Sequence, residues 1–228
     1  MPEHTPQTYL FVPGNRPERF AKALASGADR IIIDLEDAVA PADKVVARAA
    51  IAEWMRSATG ETRQKILLRL NDAVTAWHAE DLALASTVQA ACVMLPKCEA
   101  APQVAAVLAG LPRHSCVLPL IETARGMVAL QAIAAAPGVT RLAFGSLDYM
   151  VDLDIPAGSL ALDYAAAHIA IASRAAGIAS PVAGVTPELD AARVAADMAH
   201  ARTLGFSAKM CIHPSQVKIG RASCRERV

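Results

Sequence analysis

Two carboxylates close strongly apolar runs of this chain: Glu122 in CVLPLIET and Asp148 in TRLAFGSLD. Two such groups at an apolar mouth repel each other, so they need a cation or a shared proton. No His or Cys stands close to them in sequence. Their oxygens therefore suit Mg²⁺, or Mn²⁺, better than Zn²⁺. The plainer alternative is a salt bridge from Glu122 to Arg125 on the following helix. Arg69 follows Ile66-Leu67-Leu68, deep in apolar context. A buried guanidinium must be paired, and its fork matches a carboxylate. It either pairs with Glu36 or Asp37 or holds an anionic substrate. Lys97 is read as an ion-pair residue, because the metal pair already supplies an electrophile and a Schiff base is not required. The turn PGNRPERF (13–20) precedes a helix and could seat a phosphate, although no glycine-rich phosphate loop of known pattern occurs. His213 reads as a strand-end residue, and His78 and His168 as structural or surface residues.

These groups need elements that bring them together. Eight short runs rich in Val, Ile or Leu occupy 9–14, 30–37, 65–71, 91–97, 116–123, 140–148, 180–186 and 207–214. Near-continuous apolar runs are the pattern of parallel strands buried on both faces. Ala-rich stretches between them read as helices at 16–26, 41–58, 102–108, 160–176 and 187–204. Thr186 is the expected N-cap of the last, ahead of Pro187. Eight strands alternating with helices predict an α/β fold, a parallel eight-stranded (β/α)8 TIM barrel, in preference to a doubly wound open sheet. In most runs the charged residue comes last. A parallel barrel gathers such residues at its C-terminal mouth, where enzyme sites of this architecture are built.

Composition narrows the class. The chain has 228 residues, 54% of them hydrophobic and 19% charged, with a formal net charge of zero. That excludes a disordered linker, and the lack of basic excess argues against nucleic acid as a partner. No apolar run is long enough to span a bilayer, and the N-terminus lacks a secretion-signal pattern. Five cysteines, an odd number without a CxxC, read as reduced thiols of a cytoplasmic protein. One domain is expected over 1–220. The basic tail 221–228 reads as non-native or disordered. With so few residues after Pro214, the barrel is expected to have a truncated C-terminal helical end.

The segments FVPGNRPERF, DLEDAVAP, LLRLN, VMLPKCE, LIETARG, FGSLDY and KMCIHPSQV, spanning residues 9 to about 218, resemble the HpcH/HpaI aldolase and citrate lyase beta-subunit superfamily. The resemblance is strongest to citrate lyase beta-subunit-like proteins, with malyl-CoA and citramalyl-CoA lyases as relatives. It implies a (β/α)8 barrel that assembles as a homotrimer or hexamer, with other citrate lyase subunits as further candidate partners. It implies Mg²⁺-dependent cleavage or formation of a carbon–carbon bond between an acyl-CoA and a 2-keto acid. By the resemblance, Glu122 and Asp148 are the metal ligands and Arg69 holds the keto-acid carboxylate. Glu36 and Asp37 support the catalytic site and its waters. Gly145, Ser146 and Leu147 present backbone N–H groups to the substrate, and Arg16 and Lys22 fall where relatives bind CoA phosphates. Two departures stand out. Ala183 replaces an acidic residue of the family's VDGV segment, and the family continues beyond IHPSQV into further helices. These leave two alternative readings, a CoA-independent 2-keto acid aldolase and a non-catalytic citrate lyase beta-subunit-like paralogue.

Overall fold

The computed structural model describes residues 5–225. It begins with β1 (Thr8–Pro13), α1 (Phe20–Leu24), β2 (Arg30–Asp34), α2 (Lys44–Arg56), α3 (Gly60–Lys65) and β3 (Ile66–Arg69). Next come α4 (His78–Thr87), β4 (Cys92–Leu95), α5 (Ala101–Ala109), β5 (Cys116–Ile121), α6 (Ala124–Val128), α7 (Leu130–Ala134) and β6 (Arg141–Phe144). The chain closes with α8 (Ser146–Leu153), α9 (Leu160–Ala175), β7 (Ala179–Ala183), α10 (Ala191–Thr203), β8 (Ala208–Cys211) and α11 (Pro214–Arg225). The eight strands pair in sequence order, all parallel, and β8 closes on β1. All eight expected strands are present, and the fold is the (β/α)8 barrel.

Alternation along each strand divides the core in two. Ile32, Leu67, Met94, Leu118, Leu120, Ala143, Val182, Ala208 and Met210 point inward and fill the barrel. Their neighbours Ile31, Ile33, Leu68, Val93, Val117 and Leu142 point outward into the layer beneath the helices. Both layers are buried, which is why the strands read as continuous apolar runs rather than alternating ones.

Three expectations differ from the structure. Helix α10 starts at Ala191, capped by the Asp190 carboxylate, which accepts from the Arg193 amide at 2.8 Å. Thr186 does not cap it, and its hydroxyl instead donates to Asp197 on α10 at 2.6 Å. Asp148 does not end a strand. Gly145 terminates the strand and Asp148 sits in the first turn of α8. The run TRLAFGSLD is apolar across strand and helix alike, so its pattern hides the break. Finally, the C-terminal end is not bare, because α11 covers β8 and β1. Val217 is buried, and Gly220 lies close to Lys209, Thr8 and Cys211. Arg221 of α11 reaches Asp29 at 2.6 Å. Residues 226–228 of the expected tail lie outside the described residues.

Ile32 sits at the centre of the barrel, fully buried. Ile32→Ala is expected to destabilise the fold by about 2–5 kcal/mol, against about 0.5–1.5 kcal/mol for Ile32→Val. Denaturant unfolding of the two variants checks the ratio.

Candidate active site

The same alternation that fills the barrel builds its mouth. Asp34 is two residues beyond Ile32 on β2, and Arg69 is two beyond Leu67 on β3, so both face inward. They are register partners across the strand pair. Glu122 follows β5 on the inward face set by Leu118 and Leu120. These polar groups therefore stand directly above the apolar plug.

Arg69 is held as a fork. Its Nε donates to Asp34 Oδ1 at 2.7 Å and its Nη2 to Asp34 Oδ2 at 2.6 Å. Nη1 donates to Asp37 Oδ2 at 3.1 Å and lies 2.8 Å from Glu36 Oε2. The guanidinium also covers the Phe11 ring at 5.0 Å. Burial opposes its charge, but Asp34 first, then Glu36 and Asp37, outweigh burial and raise its pKa further. Both expected partners, Glu36 and Asp37, are present. The main partner is Asp34, the first carboxylate of the same DLED run. Asp34 also accepts from the amides of Glu36 at 2.8 Å and Ala38 at 3.0 Å, and so shapes the loop that carries Glu36 and Asp37.

Lys97 connects this network to Glu122. Its ammonium donates to Glu36 Oε1 at 2.9 Å, while its backbone N–H donates to Glu122 Oε1 at 2.8 Å. The residue adopts a left-handed backbone, φ 43°, uncommon for a lysine. Burial alone would lower the Lys97 pKa, but the bond to Glu36 and the charges of Glu36, Glu122 and Asp37 raise it. Lys97 is thus a protonated ion-pair residue, as expected. Glu36 itself is shifted up by burial, against the opposing pull of Arg69 and Lys97.

Glu122 is 1% exposed, and its Oε2 has no hydrogen-bond partner among the described residues. Burial, with Glu36 and Asp148 as further contributors, pushes its pKa up to about 9. A Cβ at Gly145 would lie 2.3 Å from that same oxygen, so only glycine fits there. The alternative ion pair with Arg125 does not form, since Arg125 is turned to Glu99 at 3.8 Å. Asp148, half-buried, shares with Glu122 and Arg69 a cavity of about 400 Å³. Gly145, Ser146 and Leu147 line it at the start of α8, with Phe11, Leu120 and Met210 supplying apolar wall. Among the described residues no cluster of three or more His, Cys, Asp or Glu forms a closed metal cage. Arg16 and Lys22 stand apart from this cavity. Arg16 is exposed and paired with Glu18 at 2.6 Å, and Lys22 is exposed on α1.

The loops behind the mouth rest on polar anchors that sequence reading passed over. The buried Lys44 ammonium donates to the carbonyls of Leu35 at 2.6 Å and Glu36 at 2.7 Å. Asn71 donates from its side chain to Leu35 O and Asp81, and Asp81 is bound by Arg48 at 3.1 Å.

The model of the HpcH/HpaI aldolase/citrate lyase family matches residues 7–214. The chain belongs to this family. It is similar to the citrate lyase subunit beta-like protein of Mycobacterium tuberculosis, 37% identical over 95% of this chain and 78% of the relative. It is also similar to a (3S)-malyl-CoA thioesterase of Cereibacter sphaeroides, 32% identical over 95% of this chain and 76% of that protein. The crystal structure of M. tuberculosis CitE in complex with magnesium, acetoacetate and coenzyme A superposes with a TM-score of 0.86. That match is at 33% identity and covers 97% of this chain and 82% of the other.

The Glu122 shift has a definite sign. Its folded pKa lies above the unfolded value, so in metal-free protein the folded state binds the extra proton from roughly pH 4.5 to 9. Stability falls as pH rises through that window. Glu122→Gln is expected to flatten the decline and to raise the Tm of chelator-treated protein at pH 8. Thermal melts of both forms between pH 5 and 9 check this.

Proposed function

We propose that this chain is a Mg²⁺-dependent carbon–carbon lyase that cleaves, or forms, a 3-hydroxyacyl-CoA such as malyl-, citramalyl- or citryl-CoA. The products are an acyl-CoA and a 2-keto acid. The observation that carries the reading is Glu122 Oε2, a buried carboxylate oxygen without a partner, in one cavity with Asp148 and Arg69. Two carboxylates fit Mg²⁺, which commonly takes one or two protein oxygens and fills its shell with water and substrate. Glu122 and Asp148 would hold the ion, whose Lewis acidity suits a retro-Claisen cleavage. The magnesium, acetoacetate and coenzyme A of the similar CitE structure support the same assignment.

The protein's own groups then bind and orient. Arg69 presents a fixed guanidinium to the substrate carboxylate, with Asp34, Glu36 and Asp37 preventing its rotation. The first amides of α8, at Ser146 and Leu147, point at the cavity end of the helix and favour a second anionic oxygen. Glu36 and Asp37 support the site and its waters. Lys97 keeps Glu122 aimed through its amide. Arg16 and Lys22 offer exposed positive charge for the CoA phosphates outside the cavity.

A second reading is thioester hydrolysis, favoured by the similarity to (3S)-malyl-CoA thioesterase. Product analysis with malyl-CoA separates the two. Acetyl-CoA with glyoxylate supports the lyase, whereas free CoA with malate supports the hydrolase and overturns the first reading.

Two variant sets test the roles. Glu122→Gln and Asp148→Asn are each expected to abolish calorimetric Mg²⁺ binding while the fold is retained. Unchanged affinity in both would remove the metal assignment. Arg69→Lys keeps the charge but loses the fork by which Asp34 fixes the cation in the cavity, so glyoxylate or oxaloacetate binding is expected to weaken at least about tenfold, a charge-assisted bond being worth roughly 1.5–3 kcal/mol. An unaltered dissociation constant in a folded variant would make Arg69 a purely structural ion pair.

A further inference from the structure

The opposite, N-terminal end of the barrel holds a second cavity, of about 560 Å³. Cys92 opens β4 and Cys116 opens β5, and the two are Cα partners across the strand pair. Cys92 lies on the inward face of Met94, and Cys116 on that of Leu118, so both thiols enter one layer at the base of the barrel. Both are half-buried and line the cavity, together with Arg30, Thr140 and Arg141. The Cys92 thiol donates to Val93 O at 3.8 Å, and the two thiols bear on each other's titration.

Their environment makes them unequal. Hydrogen bonding from Cys92 lowers the Cys116 pKa, against burial, with Thr140 and the charge of Arg30 helping. Cys92, which keeps the proton, is shifted up by the same bond and by burial. The other described thiols differ. Cys98 and Cys211 are buried, and burial pushes Cys98 up to about 12.

We propose that Cys92 and Cys116 form an oxidisable dithiol, a modification site at the N-terminal mouth that a peroxide converts to an intrachain disulfide. The Cys116 thiolate attacks one peroxide oxygen. The O–O bond breaks, a sulfenic acid forms, and the departing hydroxide takes a proton to leave as water. Cys92 then attacks the sulfenic sulfur. The S–S bond forms, the S–O bond breaks, and the Cys92 proton leaves in a second water. Two thiols lose two electrons, and one peroxide is reduced to two waters. Paired strands run about 4.7–4.9 Å apart, inside the roughly 4.4–6.8 Å spanned by the Cα atoms of disulfides. Each cysteine is the first residue of its strand, where the chain can adjust.

The test is peptide mapping of the full chain after hydrogen peroxide treatment and alkylation of the remaining thiols. A Cys92–Cys116 cross-linked peptide is expected, with loss of alkylation at both positions and its return after dithiothreitol. In Cys92→Ala, which lacks the resolving thiol, Cys116 is expected to proceed to sulfinic acid. Two results would overturn the proposal. One is full alkylation of both cysteines after peroxide. The other is sulfinic acid at Cys116 of the unaltered chain with Cys92 still alkylated.

Discussion

The bidentate pair between Asp34 and Arg69 is the contact on which the mouth depends. It joins two adjacent strands at their last register position, over a plug that excludes water. A buried pair of this kind is not cheap, because both charges leave water. It is sustained by saturation. Asp34 also accepts two loop amides, and Arg69 meets Glu36, Asp37 and the face of Phe11. Removing either partner would strand the other charge. The contact thus orders the β2 loop, and that loop carries Glu36, which in turn fixes Lys97 and through it Glu122.

The barrel was legible because its strands are apolar on both faces and are separated by Gly, Pro and Ala-rich helices. The inward direction of Arg69 and Glu122 was also within reach, since each follows its strand's inward residues by an even step. Asp34 follows Ile32 by the same even step, but Glu36 and Asp37 stand beside it in DLED, and the sequence alone does not single out one of the three as the partner of Arg69. Other features left no pattern. Lys97 acts through a backbone amide, which any residue has. Helices α6 and α7 are five residues each, too short to show a period. Helix α4 starts at His78, and Trp77 in the N-cap position supplies no side-chain cap. At α10, Thr186-Pro187 imitates a cap and first turn, while Asp190 does the capping.

Behind the site, charge is used to hold backbone rather than substrate. Lys44 gathers two carbonyls of the β2 loop, and Asn71 ties the same loop to Asp81. At the far end Arg141 spreads its donors over Ser180, Pro6, Tyr9 and Ser207. Such multiply bonded cations fix loop positions without an apolar core of their own. A chain with only 4% aromatic residues has few large side chains to do that by packing.

Gly145 divides the mouth into positions that can vary and one that cannot. Its missing side chain is the space that the Glu122 carboxylate occupies, so every alternative residue displaces that group before it touches any ligand. Leu147 and Ile212 on the rim are partly exposed and meet no such limit. Divergence of substrate preference therefore has an open route along the rim and a closed one at the floor. Side chains on the rim are thus free to change, while position 145 must remain glycine for Glu122 to keep its place.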